Sequence, residues 1–241
     1  MAGKRSDVSA AILAGGLGSR LRPVVADRPK VLAPVCGRPY LTFVLDQLAD
    51  ASIKEAVLLI GFQAEQVRRT LGETYAGMRL VYSEEPSPLG TAGALRWALP
   101  KLSGTTILLL NGDSYCDVNL AAFHSFHDTR AAEISLVLAK VPAASRFGKV
   151  WVDSHGRVKR FREKTDMTGS AWINAGIYLL RRQLIEEIPV GRFLSLERDL
   201  FPAWVGCKQI YGFRCAGTFL DIGTPQAYAL AESFFACVPF V

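Results

Sequence analysis

Cysteine is scarce, and its spacing forms no motif. Five cysteines, at positions 36, 116, 207, 215 and 237, are scattered over 241 residues without a C-x-x-C pair. An odd, dispersed set excludes a disulfide framework and a cysteine zinc site. Long apolar runs are missing too: none approaches the roughly 20 residues that cross a bilayer. The first seven residues, MAGKRSD, lead into no apolar signal core, so the expectation is a cytoplasmic chain with no membrane partner. Neither standard phosphate loop occurs. There is no G-x-x-x-x-G-K-S/T string, and Gly16-Leu17-Gly18-Ser19-Arg20-Leu21 lacks the last glycine of G-x-G-x-x-G. No Ser-His-Asp or Cys-His string offers a covalent nucleophile. His124 and His127 have helical i, i+3 spacing, but no third metal ligand is evident beside them. The net charge of +6 is spread along the chain, with no basic stripe interleaved with aromatics. That argues against nucleic acid and suits a polyphosphate equally well.

What remains is globular: 50% hydrophobic, 21% charged, with no repeat, low-complexity tract or linker, and long enough for one large domain. Apolar runs predict strands at 8–13, 56–60, 78–82 and 105–110. Ala56-Val57-Leu58-Leu59-Ile60 is unbroken, as expected of a parallel strand buried on both faces. Helical spacing places helices between these strands. One runs from about Pro39 to Ala51, one from Ala64 to Leu71 ended by Gly72, and one capped by Thr91 and stopped before Pro100. The order β-α-β-α-β-α-β is that of an open parallel α/β sheet. The second half has a helix at 120–130, then strands at 134–141, 149–152, 158–161, 173–180 and 210–213. Helices near 183–187 and 195–205 sit among them, and a last helix starts at Pro225 with Ala227, Leu230, Ala231 and Phe234 on one face.

The stretch LAGGLGSRLRPVVADRPK, from Leu13 to Lys30, is the focus of the chain. A strand that stops at Gly15, Gly16 and Gly18 ends in a tight turn whose backbone can approach a ligand. Such a turn presents N–H groups to an anion. Arg20 and Lys30 follow it, which suits an anion of several charges, a nucleoside triphosphate. Ligands of open α/β sheets bind beyond the carboxyl ends of the strands. Polar residues recur there: Glu84, Glu85, Gly90 and Thr91 after the third strand, Asn111 and Asp113 after the fourth, and later Gly148, Glu163, Lys164, Asn174, Gly176 and Asp221.

LAGGLGSRLRP…RPK, PLGTAGAL, LLLNGDS, FREK, NAGIYLL and FLDIGTP, in this order over nearly the whole chain, resemble the sugar-phosphate nucleotidyltransferases. Within them the overall similarity is greatest to the guanylyltransferases of D-glycero-α-D-manno-heptose 1-phosphate. The resemblance implies a Rossmann-like, open, mixed but mostly parallel sheet flanked by helices (the nucleotide-diphospho-sugar transferase fold) in a single domain. About 8–118 would form the nucleotide half and 119–241 the sugar-phosphate half. The implied reaction is attack of a sugar 1-phosphate on the α-phosphorus of an NTP, releasing pyrophosphate. The partners are then GTP, or another NTP such as UTP or dTTP, and a heptose or mannose 1-phosphate. Homo-oligomers are compatible with the sequence, and Mg²⁺ is the expected cofactor. A silent regulatory subunit of the same fold is disfavoured, because Arg20, Lys30, Asp113, Lys164 and Asp221 are all retained. No left-handed β-helix domain follows the last helix, so a second, acyltransferase activity is not expected.

The roles implied are as follows. Leu13, Ala14, Gly15, Gly16, Gly18 and Ser19 would cradle the nucleotide, with Gly90 and Thr91. Arg20 and Lys30 would neutralise the triphosphate, although a loop cation is more often only solvated. Asp113 and Asp221 would ligate the metal, although either alone would read as a turn residue. Lys164 would hold the sugar's phosphate and Glu163 its hydroxyls, with Asn111, Gly148, Asn174 and Gly176 around them. Arg20, Lys30, Asp113 and Lys164 form the catalytic set. Guanine shows adjacent N1–H and N2–H₂ donors, which one carboxylate accepts together, and Glu84 or Glu85 suits this.

Overall fold

The structure, a computed structural model, describes residues 8–142, 144, 147–162 and 169–236. In chain order the first half holds β1 (Val8–Leu13), β2 (Pro34–Val35), β3 (Arg38–Pro39), α1 (Leu41–Asp50), β4 (Glu55–Ile60), α2 (Ala64–Leu71), β5 (Thr74–Tyr75), β6 (Met78–Glu84), α3 (Gly90–Ala98), β7 (Thr106–Asn111) and β8 (Ser114–Cys116). The second holds α4 (Leu120–Thr129), β9 (Ile134–Val141), β10 (Lys149–Val152), β11 (Val158–Arg162), β12 (Ala171–Arg181), α5 (Arg182–Glu186), α6 (Phe201–Trp204), β13 (Ile210–Cys215), β14 (Phe219–Asp221), α7 (Pro225–Ala229) and α8 (Ala231–Ala236).

Ten strands of the described residues form one mixed sheet, with path order β11-β10-β12-β7-β1-β4-β6-β5 and β9 and β13 continuing beside β12. The central strands β7, β1, β4 and β6 are parallel. β12 enters antiparallel to β7, and β9 antiparallel to β12. The parallel strands read as unbroken apolar runs because helices cover both faces. Period-2 alternation splits each run. Ala10, Ile12, Leu58, Ile60, Leu108 and Leu110 join the core beneath α1 and α2. Ala11, Val57, Leu59, Ile107 and Leu109 join the core beneath α3 and α5. The strand ends therefore cannot shift, and the loops beyond them are held at fixed spacing.

Several expectations are corrected. Pro39 does not open α1. It lies in a two-residue strand paired with Pro34, and the helix begins at Leu41. Thr91 does not cap α3: the helix starts at Gly90, and the Thr91 hydroxyl turns instead to Glu197. The 195–205 helix is a π-turn, Leu196–Leu200, capped by Ser195, followed by the short α6. The last helix breaks at Leu230 into α7 and α8, and Leu230 is exposed rather than on the buried face. Thr224 caps α7, accepting from Ala227 N. No helix among the described residues is long and apolar enough to cross a membrane.

His127 is a core residue. It is fully buried on α4 and shares a 2.9 Å hydrogen bond with Ser135 of β9. Burial, aided by the Arg181 charge, pushes its pKa down to about 4. An unfolded histidine titrates near pH 6.5, so below that pH the unfolded chain takes up a proton that the folded chain refuses. Stability is therefore lost as pH falls from about 6.5 toward 4. Thermal melts across this window should show a shallower loss in His127→Gln than in the natural chain. Equal slopes would refute the assignment.

Candidate active site

The site begins where β1 ends. Ala14 N donates to Leu59 O and Phe62 N to Gly15 O, so the glycine loop is stitched to the end of β4. Gly112 N donates to Leu13 O, which ties it to the end of β7 as well. Gly18 has φ +59°, and a Cβ there would stand 2.9 Å from Lys30 Cβ. Only glycine fits both the conformation and the space. The loop thus lies directly on the backbone that carries Lys30.

A second connection completes the site. β14 pairs antiparallel with β8, with Asp221 opposite Ser114, and Ile222 N donates to Asp113 O. Two aspartates from distant parts of the sequence become neighbours. Lys30 Nζ donates to Asp113 Oδ2 at 2.7 Å. The lysine side chain is 9% exposed and the aspartate's 37%, so the pair is partly screened from water. Asp221 Oδ1 accepts from Gly223 N at 2.7 Å. Burial and the Asp113 charge push the Asp221 carboxyl above the usual range, while Lys30, the Gly223 N–H and Arg20 pull it down. Arg20 and Lys30 both stand close to Gly223: a Cβ on it would lie 3.5 Å from the Arg20 guanidinium and 3.2 Å from Lys30 Nζ. A cavity of about 160 Å³ lies here, lined by Gly16, Ser19, Arg20, Lys30, Asp113 and Gly223 among others.

Two carboxylates brought together under repulsion are a hard oxygen donor set of the kind Mg²⁺ takes beside phosphate oxygens and water. The residues fit that ion. Among the described residues no group of three or more His, Cys, Asp or Glu forms a fuller metal cage.

The cavity opens into a cleft of about 720 Å³, shared by Leu13, Gly15, Gly16, Gly18, Ser19, Gly90, Thr91, Asn111 and Asp113 and reaching Glu84 and Glu85. The two glutamates differ. Glu84 is exposed and pairs with Arg68 at 2.7 Å. Glu85 is half-buried, accepts from Leu89 N, and has its carboxyl pushed up by burial. A Cβ on Gly61 or Gly15 would come within 2.7 or 3.1 Å of Glu85 Oε1, so this carboxylate lies on the cleft floor.

The sugar-side residues divide. Asn111 Oδ1 is buried without a hydrogen-bond partner, an acceptor left open beside the cleft. Gly176 (φ +77°) sits where the β12–β9 register shifts, and a Cβ there would collide with the Asn111 amide. Gly176 N donates to Asn174 Oδ1, and Asn174 Nδ2 to the Tyr178 hydroxyl. Tyr178 OH donates to Glu197 Oε1, while Thr91 and Ser195 donate to Glu197 Oε2. Gly148 O accepts from Asn174 N at 2.8 Å, which places it beside this network. Glu163 and Lys164 lie outside the described residues. Sequence reasoning missed Tyr178, Glu197 and the packing role of Gly223. Glu197 has no local signal, because its partners come from other elements. Gly223 had one, in its place two residues after Asp221.

A methyl group at residue 223 would press on Asp221 Oδ1, 2.5 Å away, and crowd Lys30 Nζ at 3.2 Å. Gly223→Ala should lower catalytic turnover at this site by about a hundredfold while the melting temperature changes little. Steady-state kinetics beside thermal melts check this, and near-natural turnover would show the packing to be irrelevant.

Residues 9–236 match the model of the nucleotidyl transferase family. The chain is 37% identical over 225 residues to mannose-1-phosphate guanylyltransferase of Mycobacterium tuberculosis, which covers 92% of this chain and 62% of that protein. It thus spans about three-fifths of the length of that and other mannose relatives. It is 32% identical to D-glycero-alpha-D-manno-heptose 1-phosphate guanylyltransferase of Aneurinibacillus thermoaerophilus, covering 93% of this chain and 97% of that one. The fold matches the crystal structure of HddC from Yersinia pseudotuberculosis complexed with GMP-PN with a TM-score of 0.84 and 28% identity, over 94% of this chain and 99% of that one. The chain belongs to the nucleotidyl transferase family.

Proposed function

We propose that this protein transfers GMP from GTP to the 1-phosphate of a manno-configured sugar, giving a GDP-sugar and pyrophosphate. The observation that carries this is one cavity lined by Arg20, Lys30, Asp113 and Gly223, with the Asp221 carboxylate packed against Gly223, that opens toward Glu85. The named relatives, guanylyltransferases of mannose and manno-heptose 1-phosphates, support the base and the sugar configuration.

Both substrates are anions, so repulsion has to be offset before an oxygen of the sugar phosphate can reach the α-phosphorus. Arg20 and Lys30 supply positive charge where the triphosphate and the departing pyrophosphate lie. Lys30 is held by Asp113, so its ammonium needs no reorganisation as charge develops. Asp113 and Asp221 would hold Mg²⁺, which when bound supplies further neutralisation of the phosphates. Lys164 would grip the phosphate of the sugar and Glu163 its hydroxyls. Asn111 Oδ1 would accept from the sugar through the lone pairs that the fold leaves unpaired. The sugar half contributes the Gly148, Asn174 and Gly176 backbone around it. Position and charge supply the rate, and no covalent intermediate is required.

Glu85 is the guanine acceptor in this reading, because Glu84 is turned to Arg68. The heptose 1-phosphate is the first reading of the sugar. Mannose 1-phosphate is the second, favoured by the 37% identity to a mannose enzyme. Pyrophosphate release with Mg²⁺ and GTP, UTP, dTTP, CTP or ATP, crossed with heptose, mannose and glucose 1-phosphates, tests both. GTP should lead every other nucleotide, and the heptose should outcompete mannose when the two are mixed. Faster turnover with UTP or dTTP would end the guanylyl reading. Glu85→Gln should reduce selectivity for GTP by about tenfold or more, and Glu84→Gln by far less; the reverse ranking would exchange their roles.

A further inference from the structure

Phe193 is an exposed apolar side chain next to a residue whose backbone is bonded to the start of α3. The residue is 58% exposed. Its neighbour Leu194 donates from N to Leu89 O at 2.9 Å, and Leu194 O accepts from Ala92 N and Gly93 N at 3.0 and 3.3 Å. These bonds fix the segment against the start of α3. A single exposed ring needs no explanation, but Phe193 shares one concave surface with Leu17, Phe62, Pro86 and Pro88, and a grouped apolar lining of that kind marks a ligand groove. The Arg198 guanidinium lies 5.8 Å from the ring centroid and leaves most of the ring open.

The ring lines the 720 Å³ cleft together with Leu17, itself 53% exposed, and with Phe62, Pro86, Pro88 and Glu85. It does not line the smaller cavity that holds Arg20 and Lys30. The cleft therefore changes character along its length. One end offers cations and Asp113; the other offers apolar side chains around a half-buried carboxylate. A triphosphate nucleotide is divided in the same way. Its phosphates need cations, and its base has flat apolar faces and a polar edge. A sugar ring carries hydroxyls all round and matches the polar network of Asn174, Tyr178 and Glu197 better.

We propose that Phe193, with Leu17 from the glycine loop, clamps the faces of the purine whose edge meets Glu85. The proposal rests on the guanylyl reading for the identity of the base. It assigns the nucleoside, not the phosphates or the sugar, to this end of the cleft.

The test is an equilibrium titration of GTP, and of inorganic tripolyphosphate, with Mg²⁺ present, on the natural chain, Phe193→Ala and Phe193→Tyr. The exposed position leaves folding intact, and thermal melts check it. Phe193→Ala should weaken GTP binding by about tenfold, within the range of base–aromatic stacking, and Phe193→Tyr should restore it. Tripolyphosphate, which has no base, should bind all three alike. Unchanged GTP affinity in Phe193→Ala would overturn the proposal. So would an equal loss for tripolyphosphate, or a rise confined to the KM of the sugar 1-phosphate. The guanylyl reading is judged separately, on the natural chain. If that chain prefers UTP or dTTP, the reading fails, and the same titration with the preferred nucleotide still decides Phe193.

Discussion

The pairing of β14 with β8 is the contact on which the site depends. It is only three residues long, yet it sets Asp221 opposite Ser114 and beside Asp113. Without it, Asp113 would be a turn residue bound to Lys30, and Asp221 one more polar residue near the end of the chain. With it, two like charges share one partly enclosed space. Repulsion and burial raise the carboxyl of Asp221, and Lys30, Arg20 and the Gly223 N–H oppose that rise. The arrangement persists because the sheet beneath it is covered on both faces and the aromatic cluster of Tyr40, Phe43, Tyr115 and Phe235 packs behind it. The Tyr40 hydroxyl reaches the Leu220 carbonyl at 3.3 Å, directly beside Asp221.

From that frame the rest of the cleft follows. The glycine loop leaves β1 and is bonded to the ends of β4 and β7, so Gly18 can rest on Lys30 and bring Arg20 to the same cavity. β6 delivers Glu85 to the far end of the cleft, while the bulge in β12 presents Gly176 to Asn111. Each functional group is fixed by an element whose core is apolar, and the polar ends are free to serve a ligand. In the proposed reading this is how an anionic triphosphate, a divalent ion and a polar sugar would share one face of the protein.

The central strands were legible in the sequence because burial on both faces writes itself as a continuous apolar run, as in 56–60 and 108–110. The glycine loop was legible because glycines and two cations sit together. Less was legible where partners are distant. β8 and β14 are too short for a periodicity, and their register is set by contact between residues about a hundred positions apart. Thr91 has the chemistry of a cap, but tertiary contact redirected its hydroxyl to Glu197. The break at Leu230 and the π-turn at 196–200 likewise come from packing, which a helical face alone does not record. Glu84 and Glu85 looked alike in sequence; the ion pair of Glu84 with Arg68 on α2, and the burial of Glu85 with its bond from Leu89 N, separate them.

The central claim is that Asp113 and Asp221 act as one unit with the cations around them. A double-mutant cycle tests it most directly, with Asp113→Asn, Asp221→Asn and both together, reading Mg²⁺-dependent pyrophosphate release from GTP. Residues that act as a unit lose most of the activity at the first substitution, so the double variant should be little worse than either single one. Losses that multiply independently, or near-natural turnover in either single variant, would contradict the account.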